Sequence, residues 1–386
     1  MTDKKPGRDT LMVHGGEPRP RYADSLVYPI FQSTVFAAPP GTPYDDLAYI
    51  RLSTTPSQKY LHGKLAALEG AEDAVATASG MAAVTTALAS LMRSGDHLIT
   101  GNCLYGGTQS FLLAHAERMG WSYTSVDAQA PETWAPAARP ETRVFLCETI
   151  SNPLMRVPPL DELARFARER GIVTLVDNTF ASPVNFRPLE HGLDLAFHSA
   201  SKYLNGHSDI VAGCLVGNRA RIGAARKALN LFGGILDPHA GYLLARGIKT
   251  LALRMRACEA NALALATFLA GHPGVRQVNY PGLETHPDHA HARRLLDGFG
   301  GMLSFRHAGG PEQAARLLGK LNVAYPATSL GGVESLVTLP CQTSHAGLPP
   351  AAREAMGITD DLVRVSCGIE TTEDLVEDFR SALDAR

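Results

Sequence analysis

Excess charge of either sign is missing from this sequence of 386 residues, in which 36 lysines and arginines balance 38 aspartates and glutamates. Nucleic-acid binding depends on neutralising phosphates, so we do not expect a chain with no basic run to bind DNA or RNA. Long apolar runs are missing too, and without about 18 consecutive apolar residues we expect no membrane-spanning segment. The composition, 45% hydrophobic and 19% charged, is that of a globular enzyme or binding protein.

Closely spaced cysteines are also missing. Of the six cysteines, the nearest two are Cys341 and Cys367, so no CxxC motif for metal or redox chemistry occurs. Unpaired thiols in a chain of this length are typical of a reducing compartment. Residues 1–10 are polar and lack the apolar core of a signal peptide, so we expect a cytoplasmic protein.

Apolar runs of strand length alternate with helical patterns from about residue 56 onward. The predicted strands span residues 73–78, 97–100, 143–147, 172–176, 193–197 and 210–216, and the predicted helices span 58–68, 80–92 and 160–170. This alternation is typical of βαβ units and predicts an α/β fold with a mostly parallel sheet.

The residue pattern divides the chain into three parts. Residues 1–55 are rich in proline and tyrosine and predict an arm that packs on a neighbouring subunit, with a loosely ordered tail as the alternative. Residues 56–250 form the predicted large domain. A long helical stretch over 240–269, broken at Gly247, joins it to a smaller C-terminal α/β domain over 251–386. The elements predicted in this smaller domain are strands over 301–305 and 362–367 and a helix over 374–383.

Polar residues that directly follow the predicted strands are candidates for chemistry, because ligands of open parallel sheets bind at the carboxyl ends of the strands. Asp177 follows the strand over 172–176, where a buried carboxylate needs a cationic partner such as a protonated pyridine nitrogen. Lys202 comes shortly after the strand over 193–197, where a desolvated amine can form an imine with a carbonyl compound. The alternatives are a helix cap for Asp177 and an ordinary surface lysine for Lys202.

A possible phosphate site and a possible stacking ring accompany these two groups. Gly80 and Met81 begin a predicted helix whose free N–H groups can bind an anion, and the hydroxyls of Ser199 and Ser201 can donate to a phosphate. Tyr105 lies in a loop with two glycines, where its ring either stacks on a flat cofactor or packs in the core. The GxGxxG motif of dinucleotide sites and the P-loop motif are both missing. The whole set matches what pyridoxal phosphate requires.

Seven motifs occur in order along the chain, at residues 78–82 (ASGMA), 104–108 (LYGGT), 177–180 (DNTF), 199–209 (SASKYLNGHSD), 246–251 (RGIKTL), 329–336 (SLGGVESL) and 363–366 (VRVS). With them the sequence resembles the Cys/Met-metabolism family of pyridoxal-phosphate enzymes, also called the trans-sulfuration or cystathionine γ-synthase-like family. The resemblance covers nearly the whole chain. It implies fold type I, with a large, mostly parallel sheet domain and a smaller C-terminal domain, and a homotetramer built from two active dimers.

The resemblance also implies which residues hold the cofactor. It gives catalytic roles to Lys202, which attaches the cofactor and moves protons, to Tyr105, which stacks on the ring, to Asp177, which pairs with the ring nitrogen, and to Tyr49. Tyr49 and Arg51 match the Tyr-x-Arg pair that reaches the phosphate of a neighbouring subunit. The residues that hold the phosphate within one chain are then Gly80, Met81, Ser199 and Ser201.

The substrate site is implied in the same way. Arg364 binds the α-carboxylate of a small amino acid through two parallel hydrogen bonds, with Asn152 and Ser329 assisting.

Five positions depart from the family pattern. Thr55 replaces an asparagine after the Tyr-x-Arg pair, and Ala48 and Ser110 replace an acid and an arginine that members acting on cystathionine often carry. Gly107 stands where methionine γ-lyases often have cysteine. Leu330 stands where β-lyases often have an aromatic residue, as in the γ-type enzymes.

The implied activity is that of a carbon–sulfur lyase of sulfur amino-acid metabolism. The leading reaction is γ-elimination, as in cystathionine γ-lyase, which releases 2-oxobutanoate and ammonia. The alternatives are γ-replacement, as in cystathionine γ-synthase or O-acylhomoserine sulfhydrylase, methionine γ-lyase activity and cystathionine β-lyase activity. Two remote alternatives are a Ser-x-x-Lys acyl enzyme, because Ser199 and Lys202 fit that spacing, and a non-catalytic binding protein. The histidine-rich run over 286–291 is interpreted as an exposed polar loop, and we expect no metal site.

Overall fold

Two β-sheets, each packed against helices, make up the computed structural model, which describes residues 6–385. The larger sheet contains β1 (Asp73–Thr77), β2 (His97–Gly101), β3 (Ser122–Val126), β4 (Thr142–Glu148), β5 (Val173–Asp177), β6 (Leu195–His198) and β7 (Gly213–Gly217). The smaller sheet contains β8 (Val275–Asn279), β9 (Met302–His307), β10 (Tyr325–Pro326), β11 (Leu336–Thr338) and β12 (Leu362–Ser366).

Helices connect these strands. Within the described residues they are α1 (Arg8–His14), α2 (Pro56–Glu69), α3 (Gly80–Leu91), α4 (Gly106–His115), α5 (Trp134–Ala137), α6 (Leu160–Arg170), α7 (Ser182–Asn185), α8 (Arg219–Phe232), α9 (Pro238–Ile248), α10 (Leu251–Ala270), α11 (His289–Leu295), α12 (Gly310–Leu318), α13 (Pro350–Ala355) and α14 (Thr372–Asp384). None of these helices is both long enough and apolar enough to cross a membrane.

The larger sheet has the strand order β1-β7-β6-β5-β4-β2-β3. Its neighbouring strands are parallel except at β7, which runs antiparallel to β1 and β6. The prediction of an α/β fold with a mostly parallel sheet is therefore confirmed. Because β4, β5 and β6 are parallel neighbours, their carboxyl ends lie at one edge of the sheet.

Both faces of the larger sheet are buried, because its central strands carry apolar side chains on each face. In β5, Leu175 packs in one apolar cluster and Val176 in the cluster on the opposite face, and in β6 Phe197 and Ala196 divide in the same way. Strands covered by helices on both faces have continuous apolar runs. The smaller sheet has its own apolar cluster, which packs against α10 and α14.

The predicted helices and strands appear with small changes in their bounds. The last strand predicted for the larger sheet starts at Gly213 rather than at residue 210. The elements that were not predicted are β3, β8, β10, β11, α1, α4, α5, α7, α8, α11, α12 and α13. The prediction of a helix break at Gly247 is wrong, because Gly247 lies inside α9 and the break falls at residues 249–250. A Cβ atom at Gly247 would lie 2.2 Å from the Asn205 carbonyl oxygen, so the glycine permits a close contact with the loop after Lys202. The division of the chain at residues 55 and 250 stays a prediction.

The arm that precedes α2 is anchored at its start and exposed further along. Met12 of α1 is buried, and Lys64 of α2 donates a hydrogen bond of 3.2 Å to the Val13 carbonyl. Several apolar side chains beyond α1 are exposed to solvent within this single chain. They are Tyr22, Leu26, Val27, Ile30, Val35, Tyr44 and Tyr49.

Candidate active site

Lys202 lies in the turn that follows β6, and this turn is fixed by Ser201. The Ser201 hydroxyl accepts a hydrogen bond of 2.9 Å from the Ala212 N–H group, next to the start of β7. The Lys202 amine donates to the Ser329 hydroxyl across 2.6 Å. Burial, and then the positive charge of Arg364, lower the pKa of Lys202 to about 8. The amine is therefore easily deprotonated and close to a substrate site.

Asp177 ends β5, where its carboxyl group is partly buried. Its Oδ1 accepts hydrogen bonds from the N–H group of Thr179 at 2.9 Å and from its hydroxyl at 2.5 Å. Burial raises the pKa of Asp177. Within residues 6–385 this carboxylate forms no salt bridge. A protonated ring nitrogen would supply the missing cation, so the residue fits the base of a pyridoxal-phosphate site.

A cradle for a phosphate group lies at the start of α3. The Ser79 hydroxyl caps this helix by accepting from the Ala82 N–H group at 3.0 Å. The first N–H groups of a helix have no acceptor within the helix, and here Gly80 and Met81 carry them into the cavity. A Cβ atom at Gly80 would lie 2.8 Å from the Ser199 Cβ, so only glycine allows the close approach of the two loops.

Tyr105 precedes α4 and holds its ring beside this cradle. A Cβ atom at Gly107 would lie 2.6 Å from the Tyr105 ring and 3.1 Å from the Met81 sulfur. A larger residue at position 107, such as the cysteine of many methionine γ-lyases, would therefore push the ring away. The ring is about half exposed and lines the cavity, so core packing does not explain it.

Arg364 enters the site from β12 of the smaller sheet. Its Nη1 donates to the Asn152 side-chain oxygen at 3.1 Å and its Nη2 to the Ser329 carbonyl at 3.0 Å. Burial lowers the pKa of Arg364 to about 10. In the described part of the chain, both acceptors are neutral and no carboxylate forms a salt bridge with Arg364. This buried cation can therefore bind the α-carboxylate of an amino acid.

These groups line one cavity of about 860 Å³ between the two sheets. Ten of the twelve predicted site residues are among its walls, namely Gly80, Met81, Tyr105, Asn152, Asp177, Ser199, Ser201, Lys202, Ser329 and Arg364. Tyr49 and Arg51 lie outside it. Arg51 is exposed, and its guanidinium group donates to the Asn230 carbonyl at 3.1 Å.

Two charged residues of the cavity lining, Glu148 and Glu334, were not among the site residues predicted from the sequence. Glu148 ends β4 and lies opposite Asp177 in the strand register. The signal that could have identified it is the one used for Asp177, a polar residue directly after an apolar strand. The predicted strand over 143–147 ends one residue before Glu148.

The histidine-rich run over 286–291 is not the exposed loop that the sequence predicted. Its three histidines and Asp288 are partly or fully buried, whereas Pro287 and Ala290 are exposed. Arg156 forms hydrogen bonds of 2.7 and 3.0 Å with the Asp288 carboxylate, and the His289 ring contacts the Pro281 carbonyl at 2.8 Å. Between residues 6 and 385 no group of three or more histidines, cysteines, aspartates or glutamates is arranged to bind a metal ion.

Comparison with known proteins identifies the family. The family model of the Cys/Met metabolism PLP-dependent enzymes matches residues 9–384, and the chain belongs to this family. It is therefore a pyridoxal-phosphate-dependent carbon–sulfur lyase of the trans-sulfuration family, acting on small amino acids of cysteine and methionine metabolism. The predicted family, fold type, cofactor and class of reaction are confirmed.

Individual relatives agree with this class. The chain is 40% identical to cystathionine gamma-lyase from Bacillus subtilis (strain 168), over 98% of this chain and 99% of the relative. It is 38% identical to L-methionine gamma-lyase from Pseudomonas putida, over 100% and 99%. Among solved structures, cystathionine gamma synthase from Xanthomonas oryzae pv. oryzae in complex with aminoacrylate and cysteine aligns with a TM-score of 0.94 and 37% identity, over 98% of both chains.

Proposed function

We propose that the protein cleaves the bond between the γ-carbon and the leaving group of an amino acid derived from homocysteine or homoserine, releasing 2-oxobutanoate and ammonia. The observation that carries this proposal is the hydrogen bond of 2.6 Å between the Lys202 amine and the Ser329 hydroxyl, beside Arg364. One titratable amine thus lies next to the group that binds the substrate carboxylate.

Residues at the ends of strands and at the start of a helix would hold the cofactor. When bound, pyridoxal phosphate supplies an electron sink that stabilises negative charge at the substrate α-carbon. Asp177 would keep the ring nitrogen protonated, and Tyr105 would stack on the ring. Gly80, Ser199 and the start of α3 would hold the phosphate.

The lysine then serves as the proton carrier. A pKa of about 8 leaves roughly one tenth of the amine neutral at pH 7, far more than for an ordinary lysine, so the Lys202 amine can accept the proton from the α-carbon. Its long flexible side chain also reaches the β-carbon and the leaving sulfur, where it takes and returns protons in turn. Whenever the amine is not attached to the cofactor, the Ser329 hydroxyl can hold it on the substrate side of the cavity.

A second candidate is γ-replacement, in which a thiol adds to the γ-carbon in place of the leaving group. The close match to a solved cystathionine gamma synthase structure favours it. The two reactions use the same residues and differ in whether water or a thiol completes the reaction. With O-acylhomoserine as substrate, added cysteine diverts the product from 2-oxobutanoate to a thioether only in a γ-replacement enzyme.

The test is to identify the oxoacid formed from cystathionine. Cleavage at the γ-carbon gives cysteine, 2-oxobutanoate and ammonia, whereas cleavage at the β-carbon gives homocysteine, pyruvate and ammonia. Mass spectrometry of the oxoacid distinguishes the two, and we expect 2-oxobutanoate to exceed pyruvate. Methionine, cysteine and O-acylhomoserine are assayed in parallel. Pyruvate as the main product from cystathionine contradicts the γ-regiochemistry, and no oxoacid from any of the four contradicts the proposal.

We also propose that the enzyme is a cytoplasmic homotetramer in which Tyr49 and Arg51 complete the phosphate site of a neighbouring subunit. Three observations support this. Neither residue reaches the cavity of its own chain, both are exposed, and they lie at the end of an arm with many exposed apolar side chains. All six cysteines are unpaired, as expected in a reducing compartment.

Mixing two inactive variants tests the shared site. Arg51→Ala loses the group donated to the neighbour, and Lys202→Ala loses its own catalytic amine, so each variant alone is expected to be inactive. After subunit exchange a mixed dimer contains one complete site, and random pairing restores about one quarter of the wild-type activity. In the matched control, Lys202→Ala mixed with Asp177→Ala regains nothing, because both residues belong to one chain's site. No recovery with Arg51→Ala, despite demonstrated exchange, contradicts the shared site.

A further inference from the structure

Glu148 is a buried carboxylate at the wall of the active-site cavity that has no place in the mechanism above. It is the last residue of β4, and its residue exposure is 8%. Its Oε1 accepts a hydrogen bond of 2.5 Å from the Tyr105 backbone N–H group. Its Oε2 accepts one of 3.1 Å from the Asn152 backbone N–H group. Both carboxylate oxygens are therefore bound to the main chain of two other residues of the site.

The two residues bound by Glu148 belong to different parts of the site. Tyr105 carries the ring that covers the cofactor, and Asn152 binds Arg364 through its side-chain oxygen at 3.1 Å. Arg364 in turn contacts the Ser329 carbonyl, and the Ser329 hydroxyl binds Lys202. A series of hydrogen bonds thus connects the Tyr105 backbone N–H group with the catalytic amine, and Glu148 is the link between its cofactor part and its substrate part.

Placing an acid at this position is costly for the protein. Glu148 faces Asp177 across neighbouring strands, and Glu148 is buried while Asp177 is partly buried. Burial, and then the charge of Asp177, raise the pKa of Glu148 well above its usual value. A carboxylate can accept a hydrogen bond on each of its two oxygens. An amide of the same shape has only one acceptor oxygen, and its NH2 group would face the other backbone N–H group, so that two donors would meet. The geometry therefore requires an acid here despite its electrostatic cost.

We propose that Glu148 is a positioning residue that fixes the separation between the Tyr105 ring and the Asn152–Arg364 carboxylate site. Through this link the placement of the cofactor ring and the binding of the amino acid depend on one side chain. The part of the proposal that concerns the amino acid rests on the proposed function, whereas the part that concerns the cofactor does not.

The test compares the wild type with Glu148→Gln. Losing a hydrogen bond to a charged acceptor typically changes an equilibrium about tenfold or more, so we expect the dissociation constant of pyridoxal phosphate to rise by about that factor. We expect KM for the amino acid to rise by a similar factor and by more than kcat falls. The circular dichroism of the bound chromophore, which reports the tilt of its ring, also changes. Cofactor titration by absorbance measures the first effect without any substrate.

Glu259→Gln is the matched control. Glu259 is a largely buried acid that accepts a hydrogen bond of 2.8 Å from the Phe299 N–H group, outside the cavity. This variant is expected to lower Tm but to leave the cofactor dissociation constant, the dichroism and KM unchanged. If Glu148→Gln behaves in the same way, the carboxylate serves only the fold and the positioning role is rejected.

A second variant keeps the test decisive if Glu148→Gln does not fold. Glu148→Asp retains the charge but is one methylene shorter, so it can hold only one of the two N–H groups, and we expect the same shifts. If both variants fail to fold while Glu259→Gln folds, the positioning role is rejected. A wild type that makes no oxoacid, together with weaker cofactor binding by Glu148→Gln, would refute the proposed function and leave the positioning of the cofactor ring supported.

Discussion

Replacing Lys202 by alanine abolishes oxoacid production and leaves the protein folded. In the proposed mechanism this amine attaches the cofactor and carries each proton, and proton transfer by one placed group alone contributes about 10²- to 10⁴-fold. Its only hydrogen bond to another described side chain goes to Ser329, so the truncation removes one polar contact rather than a packed core group. The measurement is the rate of oxoacid release, with far-ultraviolet circular dichroism of the same samples to confirm folding.

Lys320→Ala is the matched control for this substitution. Lys320 donates a hydrogen bond to the Ala385 carbonyl at the end of the chain, outside the cavity. We expect this variant to keep the wild-type rate. Oxoacid production by Lys202→Ala at the wild-type rate would refute the role of the lysine.

Replacing Arg364 by alanine raises KM for the amino acid far more than it lowers kcat. Truncating one partner of a buried, hydrogen-bonded charge pair typically costs about 2–5 kcal/mol, which corresponds to an increase of about 30-fold or more. Arg364→Lys keeps the charge but not the two parallel donors, so its KM lies between those of the wild type and the alanine variant. Steady-state kinetics over a wide range of substrate concentrations measures both parameters.

An exposed arginine of the same part of the chain provides the control for Arg364. Arg316 lies on α12, forms an exposed ion pair with Glu312 and is not part of the cavity lining. Arg316→Ala is expected to leave KM unchanged. An unchanged KM in Arg364→Ala would show that the substrate carboxylate binds elsewhere.

The two central residues of the site could be predicted because they obey a local rule. Asp177 and Lys202 both come after apolar strands, and the carboxyl ends of parallel strands meet at one edge of the sheet. The structure brings them into one cavity, as the rule requires. Ser329 and Arg364 obey no such rule, and only the resemblance to the family connected them with this site.

Other features depend on contacts that are distant in sequence. The sequence alone does not distinguish Glu148 from any other acid at the end of a strand, because its hydrogen-bond partner Tyr105 precedes it by 43 positions. β7 lies between β1 and β6 and runs antiparallel to both, an arrangement that no local pattern encodes. Tyr49 and Arg51 lie outside the cavity of their own chain, so their proposed role depends on a second subunit.

The most direct measurement of the central claim is to find which lysine carries the cofactor. Sodium borohydride reduces the bond between a lysine and pyridoxal phosphate to a stable amine, and mass spectrometry of proteolytic peptides then locates the added mass. Of the eight lysines in the sequence, we expect Lys202 alone to be modified, with the yellow colour of the protein lost on reduction. Modification of a different lysine, or a colourless protein that gains no mass after incubation with pyridoxal phosphate, would contradict the account.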